Sequence, residues 1–190
     1  MGAVCAHFFG WVRSAPIFLW SDSMNTRSRF LVRAALIAAL YAALTHLQNL
    51  LLPGSASWAV QFRASEALCI LAFFTPAAIP GLTIGCFLFN LTYSAALPLD
   101  AFLGSAATLL AAGSMWLLRD VRVRNCPVFG LLMPAFFNAL LVGWELSIYI
   151  GGAFWVNALY VAAGELAVLL TLGNLLYFSM KKRHLDTRLF

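Results

Sequence analysis

Charge is scarce in this sequence. Only 10% of its 190 residues are Asp, Glu, Lys or Arg, against about 25% in an average soluble domain. The polar composition that keeps a chain disordered is missing too. There is no GxxxxGKS/T run, which excludes ATP binding through a P-loop. HExxH, GxSxG and any Cys/His cluster are absent. No catalytic pair can be named, so neither an enzyme nor a bound cofactor or metal is expected. Four cysteines, Cys5, Cys69, Cys86 and Cys126, form no CxxC. They are expected to be reduced and structural.

Apolar side chains are what the sequence has in excess. They make up 63% of it, and the mean hydropathy is +0.88. One small core cannot hide that much apolar surface, so a soluble globular protein is excluded and lipid must be the solvent for much of the chain. The length leaves room for one compact membrane domain. Twelve basic side chains outnumber seven acidic ones. In a soluble protein this excess would suggest nucleic acid. Here it is read as the inside-positive bias of membrane proteins, and no nucleic-acid partner is expected.

The first 23 residues read unlike the rest: short apolar runs, broken by Pro16, without the positive start of a signal peptide. Met24 is followed by NTRSRFLVR, an ordinary cytoplasmic lead-in to a membrane helix. Residues 1–23 are therefore expected to be an upstream or non-native extension, and 24–190 a single membrane domain.

Six apolar segments follow: Leu31–Leu52, Val60 to about Phe74, about Ile79 to Leu97, Ala101–Leu118, Val128–Ile150 and Ala153–Met180. A crossing needs about 20 residues, which the first, fifth and sixth supply. Ala67–Leu97 is one nearly unbroken apolar stretch. Thr75-Pro76 and Ile79-Pro80-Gly81 are expected to split it into two short helices joined by a tight turn. The second segment, at about 15 residues, spans only if the membrane thins locally or its neighbours shield its ends. Six crossings from a cytoplasmic N-terminus place Arg27, Arg29, Arg33, Arg119, Arg122, Arg124, Lys181, Lys182, Arg183 and Arg188 inside. The outer connections 53–59, 98–100 and 151–152 carry no Lys or Arg. An odd number of crossings would strand one basic cluster outside.

Ionisable side chains in lipid are costly and usually functional. Glu66, Glu145 and Glu165 lie in the apolar segments, Asp100 lies at an outer end, and Asn90, Asn138, Asn157 and Asn174 add amides. His46, Gln48 and Asn49 crowd the end of the first segment, and Gln61 and Arg63 start the second. Most of them fall in the outer half of the predicted bundle, where a protein capturing a polar solute from outside would place its site. Blander roles compete. Arg63 and Glu66, three apart, can pair with each other, and Asp100 can cap the fourth helix. Asn174 reads as structural. Trp58, Trp144 and Trp155 are interfacial anchors or stacking partners. In the first segment Ala34, Ala38 and Ala42 recur every four residues beside Ala35, Ala39 and Ala43. Such a smooth stripe admits another helix closely, from this bundle or from a partner.

The run Gln61-Phe62-Arg63-Ala64-Ser65-Glu66-Ala67-Leu68 resembles the QFRxSEAL signature of the QueT family. The resemblance continues through Pro76–Leu82, Ile84-Gly85-Cys86, Asn90, Leu99-Asp100 with Phe102–Ala112, Pro134, Asn138-Ala139, Val142–Leu146 and Gly164-Glu165. It covers about Met24 to Lys182. It implies the substrate-binding (S) component of an energy-coupling-factor (ECF) transporter, an all-α six-helix membrane bundle in a prokaryotic cell membrane. It also implies a transmembrane T component with two cytoplasmic ATPases, docked on the alanine stripe, and a queuosine precursor as solute, such as 7-aminomethyl-7-deazaguanine. Glu66, Glu145 and Glu165 would bind the base, with Asn90, Asn138, Arg63 and Asp100 beside them. Two alternatives are an S component for another vitamin-like solute and a membrane scaffold subunit that binds none.

Overall fold

The computed structural model describes residues 25–53, 62–93, 99–121 and 127–182. The chain divides into two units, Met1–Val32 and Arg33–Phe190. In the first, the described residues are Asn25 and the opening turns of helix α1; everything below concerns the second. Residues 1–23, Cys5, Trp58, Gln61, Arg122, Arg124, Cys126, Arg183 and Arg188 lie outside the described residues, and so do the expectations attached to them.

Helix α1 runs Thr26–Leu51. Nothing in that stretch breaks a helix, and Pro53 follows its end, where a proline cannot continue the ladder. Next come a 3₁₀ helix, Ala64–Phe73, then α2 (Ala78–Thr92), α3 (Asp100–Leu117) and α4 (Val128–Tyr149). The last helical rod joins α5 (Phe154–Val168), a π-helical turn (Leu169–Gly173) and α6 (Asn174–Lys182). No strand occurs among the described residues. The rods Thr26–Leu51, Val128–Tyr149 and Phe154–Lys182 are each long and apolar enough to cross a membrane. The other helical segments are shorter. The described residues form an all-helical membrane bundle of six helical segments.

Two sequence expectations change in detail. The second segment is not a short α-helix. Ten residues of α-helix would reach about 15 Å; wound as 3₁₀ they reach about 20 Å. The tighter winding lengthens a segment too short for the bilayer. It tolerates this because it is sheathed: Ser65 to Phe73 are all buried, and the segment touches α2, α3, α4, α5, the π turn and α6. The turn between the two halves of the long apolar stretch also sits elsewhere. It is made at Phe74–Ala77, while Pro80 and Gly81 lie in the first turns of α2. A proline there costs no helical hydrogen bond, because the first N–H groups have no partner anyway.

Lipid tails are as apolar as leucine, so burial of apolar surface does not drive these helices together. Close packing at small residues does. A Cβ on Gly81 would stand 2.8 Å from the carbonyl oxygen of Ala34. One on Gly85 would stand 2.8 Å from that of Ala38, and one on Gly143 would stand 2.8 Å from the Ala158 Cα. Thus α1 lies on α2, and α4 on α5, nearly backbone to backbone. Part of the alanine stripe is used here. Ala34 and Ala38 are buried against α2, Ala42 is half-buried, and Ala35, Ala39 and Ala43 remain exposed. Outside, the bundle shows large apolar side chains such as Leu47, Leu91, Phe102, Leu159 and Phe178. Trp144 and Trp155 are among the exposed ones, which favours the anchor role for both.

Candidate functional site: a buried acidic cluster

The polar residues collect at one end of the bundle. Most come from the C-terminal parts of α1, α2 and α4 and from the starts of the 3₁₀ helix and α3; Asn138, at the middle of α4, and Glu165, in the later part of α5, lie deeper. Arg63, Glu66, Asn90, Asp100, Asn138, Glu145 and Glu165 are all buried, none more than 4% exposed. Four of the seven acids in the sequence are therefore inside. Chain direction explains the gathering: alternate crossings bring the late part of one helix beside the early part of the next.

Arg63 donates from Nη2 to Asp100 Oδ2 at 3.2 Å. This ion pair joins the 3₁₀ helix to α3. Its partner is Asp100, not the Glu66 that sequence spacing offers. Arg63 also stands 3.9 Å from Cys86 Sγ and 5.7 Å from the Phe89 ring centre. Asp100 opens α3 without capping it; the residue at the cap position is Leu99. Asn90 donates to the Asp100 backbone carbonyl at 3.0 Å, which fixes its amide with Oδ1 turned away. Gly104 makes room for this group, since a Cβ there would lie 2.9 Å from Asn90 Nδ2 and 3.2 Å from Asp100 Oδ1.

Glu66 is held differently. Its Oε1 accepts the Tyr41 hydroxyl from α1. Its Oε2 accepts the Cys69 thiol at 3.1 Å. The 3₁₀ winding accounts for the second contact, because residues three apart eclipse along one edge. Two more bonds tie α1 to the same segment. Thr45 gives its hydroxyl proton to the Tyr41 carbonyl at 2.8 Å and accepts from Ser65 Oγ at 2.7 Å, and Gln48 accepts the Ala64 N–H at 2.7 Å while donating to the Phe62 carbonyl. Gln48 thereby supplies the partners that the open start of the 3₁₀ helix lacks.

Asn138 donates to Glu165 Oε1 at 2.8 Å, bridging α4 and α5. Glu165 lies within electrostatic reach of Glu66 and Arg63, and Glu145 within reach of Asp100 and Arg63. The remaining polar residues are peripheral. Asn157 donates to the Gly151 carbonyl at 3.0 Å and steadies the α4–α5 turn. Asn174 bonds the Leu170 carbonyl within its own rod. His46 is exposed and meets Thr92 Oγ1 at 3.1 Å. Asn49, near the end of α1, is buried with neither amide atom bonded.

The chemical character follows from what is left over. Asn90 Oδ1, Asp100 Oδ1, both oxygens of Glu145 and Glu165 Oε2 are buried without a hydrogen-bond partner. All five are acceptors. Buried polar atoms are normally paired, and an exception asks for an explanation. One arginine faces four acids, so the cluster suits a ligand rich in N–H donors and positive charge. Among the described residues no three His, Cys, Asp or Glu side chains are grouped to hold a metal ion. Sequence reasoning found every acid and amide named above. It missed Tyr41, Thr45, Ser65 and Cys69. Tyr41 and Thr45, four apart on α1 and in line with Gln48, were a legible signal: polar groups on one helical edge of an apolar rod.

No curated protein and no solved structure matches the chain significantly. The QueT transporter family model matches residues 31–182. That span holds the whole described bundle from the second turn of α1 to the end of α6, with every residue of the acidic cluster inside it, and the chain belongs to the QueT transporter family.

Proposed function

We propose that this chain is the substrate-binding component of an ECF-type importer and captures a queuosine precursor, 7-aminomethyl-7-deazaguanine or a close relative, at the buried acidic cluster. The observation that carries the reading is the surplus of acceptors: five bare oxygens and four acids around a single arginine. A deazaguanine is their complement. Its ring N–H and exocyclic NH₂ point side by side at one carboxylate, its aminomethyl cation needs a second, and its carbonyl oxygen takes a donor such as Arg63. Arg63, Asp100, Asn90 and Glu145 lie toward the end of the bundle that the inside-positive pattern assigns to the outer face, with Asn138 and Glu165 deeper. In this reading both termini are cytoplasmic, in a prokaryotic cell membrane.

Capture would be this chain's share of the work. Transport would come from a T component and two ATPases, as the family resemblance implies. The docking edge on α1 narrows to Ala35, Ala39, Ala43 and the half-buried Ala42, because Ala34 and Ala38 already pack on α2.

The test is the melting temperature of the detergent-purified chain with and without candidate bases. A solute at 100 times its Kd stabilises by about 2.7 kcal/mol, which is a readable shift. A rise with the aminomethyl base and none with guanine supports the proposed solute. No rise with any deazaguanine removes it and turns the search to other vitamin-like solutes or to the scaffold alternative.

A further inference from the structure

The three buried glutamates are not equivalent. Glu66 has both carboxylate oxygens occupied, by Tyr41 and Cys69. Glu165 has one oxygen taken by Asn138 and one bare. Glu145 is completely buried, and neither of its oxygens completes a hydrogen bond, although the Leu99 backbone N–H at the start of α3 approaches the carboxylate. An acid in that state has no reason to be there for the fold alone, since an unpaired buried polar group costs stability.

We propose that Glu145 is the solute-reading fork of the site, accepting two N–H donors that stand side by side on one edge of the solute, and that Glu66 belongs to the frame and does not touch the solute. This deepens the proposed function and rests on it for the identity of the base. It goes further in giving the acids separate roles.

The geometry points to a paired-donor edge for a specific reason. Both bare oxygens belong to one carboxylate, and a carboxylate accepts two parallel N–H bonds best when both its oxygens are free. A guanine-type edge, with a ring N–H beside an exocyclic NH₂, has that shape. A single ammonium does not require it. Glu145 also sits within reach of the Arg63–Asp100 pair. That leaves Arg63 and the bare Asp100 and Asn90 oxygens to meet the rest of the solute. Glu66 instead anchors α1 to the 3₁₀ helix, in line with the Thr45–Ser65 and Gln48 bonds.

Two readouts test this on the full chain in detergent. The first needs no solute. Glu145→Gln removes an unpaired acid and is expected to melt at or above wild type, while Glu66→Gln disturbs two made bonds and is expected to melt lower. The reverse order overturns the proposal. The second compares 7-aminomethyl-7-deazaguanine with its counterpart lacking the 2-amino group. Wild type is expected to prefer the 2-amino base by on the order of 10- to 100-fold, the cost of stranding one buried acceptor. Glu145→Gln is expected to erase that preference, and Glu66→Gln to keep it even if both affinities fall. A preference that survives in Glu145→Gln, or vanishes in Glu66→Gln, overturns the assignment and leaves the proposed solute standing. Wild type binding neither base removes the solute, and the solute-free comparison alone then decides the division of roles.

Discussion

Arg63 illustrates what burial does to a single residue. It follows the exposed Phe62 and is itself buried in the bundle, where its guanidinium meets Asp100. Two buried charges repay their desolvation only when both are well placed, and removing one strands the other. Arg63→Met is therefore expected to cost about 3–5 kcal/mol, read by thermal or denaturant unfolding in detergent. Adding Asp100→Asn to it should recover part of the loss. A double variant no better than the single one would show that the pair is not what Arg63 contributes. Sequence spacing could not choose this partner. Glu66, three residues on, was the nearer candidate in the chain, and Asp100 becomes the partner only when α3 is laid beside the 3₁₀ helix.

At the scale of elements, helix contact depends on absent side chains. Gly85 faces Ala38 and Tyr41 on α1, and a Cβ there would lie 2.8 Å from both the Ala38 carbonyl and the Tyr41 Cβ. Gly113 on α3 has nothing within 4 Å of such an atom. Gly85→Ala is expected to lose about 1–3 kcal/mol through overpacking, whereas Gly113→Ala is expected to be neutral or slightly stabilising. Melting the two variants side by side checks the contrast; equal losses would argue against the tight α1–α2 contact. Because Tyr41 also reaches Glu66, the Gly85 variant should weaken the frame of the acidic cluster as well. The 3₁₀ helix is the element that sequence described least well. Its composition is simply apolar, and nothing in it announces the winding. The winding follows from how far ten residues must reach inside a sheath of other helices.

For the whole molecule, the distribution is that of a protein dissolved in lipid: leucines and aromatics outside, acids and amides within. In the proposed reading, the inside-positive pattern orients it with both termini in the cytoplasm. In a variant without Cys5 and Cys126, a membrane-impermeant maleimide should label Gly152→Cys on intact cells and Asp120→Cys only after lysis. Cys69 and Cys86 are buried and should stay silent. Labelling in the opposite sense would invert the bundle and place the acidic cluster at the cytoplasmic face, which an importer's capture site does not suit.

Composition and hydropathy by themselves determined that the chain lives in a membrane, how many apolar segments it has and which polar residues are out of place there. These properties are sums along the chain, and a sum needs no coordinates. Motif order determined the family, because several separated motifs in sequence are specific without geometry. Only the tertiary structure decided which acids are occupied and which are bare, that Arg63 answers Asp100, and that Ala34 and Ala38 of the alanine stripe are spent within the bundle. Those are facts about neighbours from distant parts of the chain. A hydrogen bond is satisfied or not by a distance of about 3 Å, and no spacing along a sequence measures that.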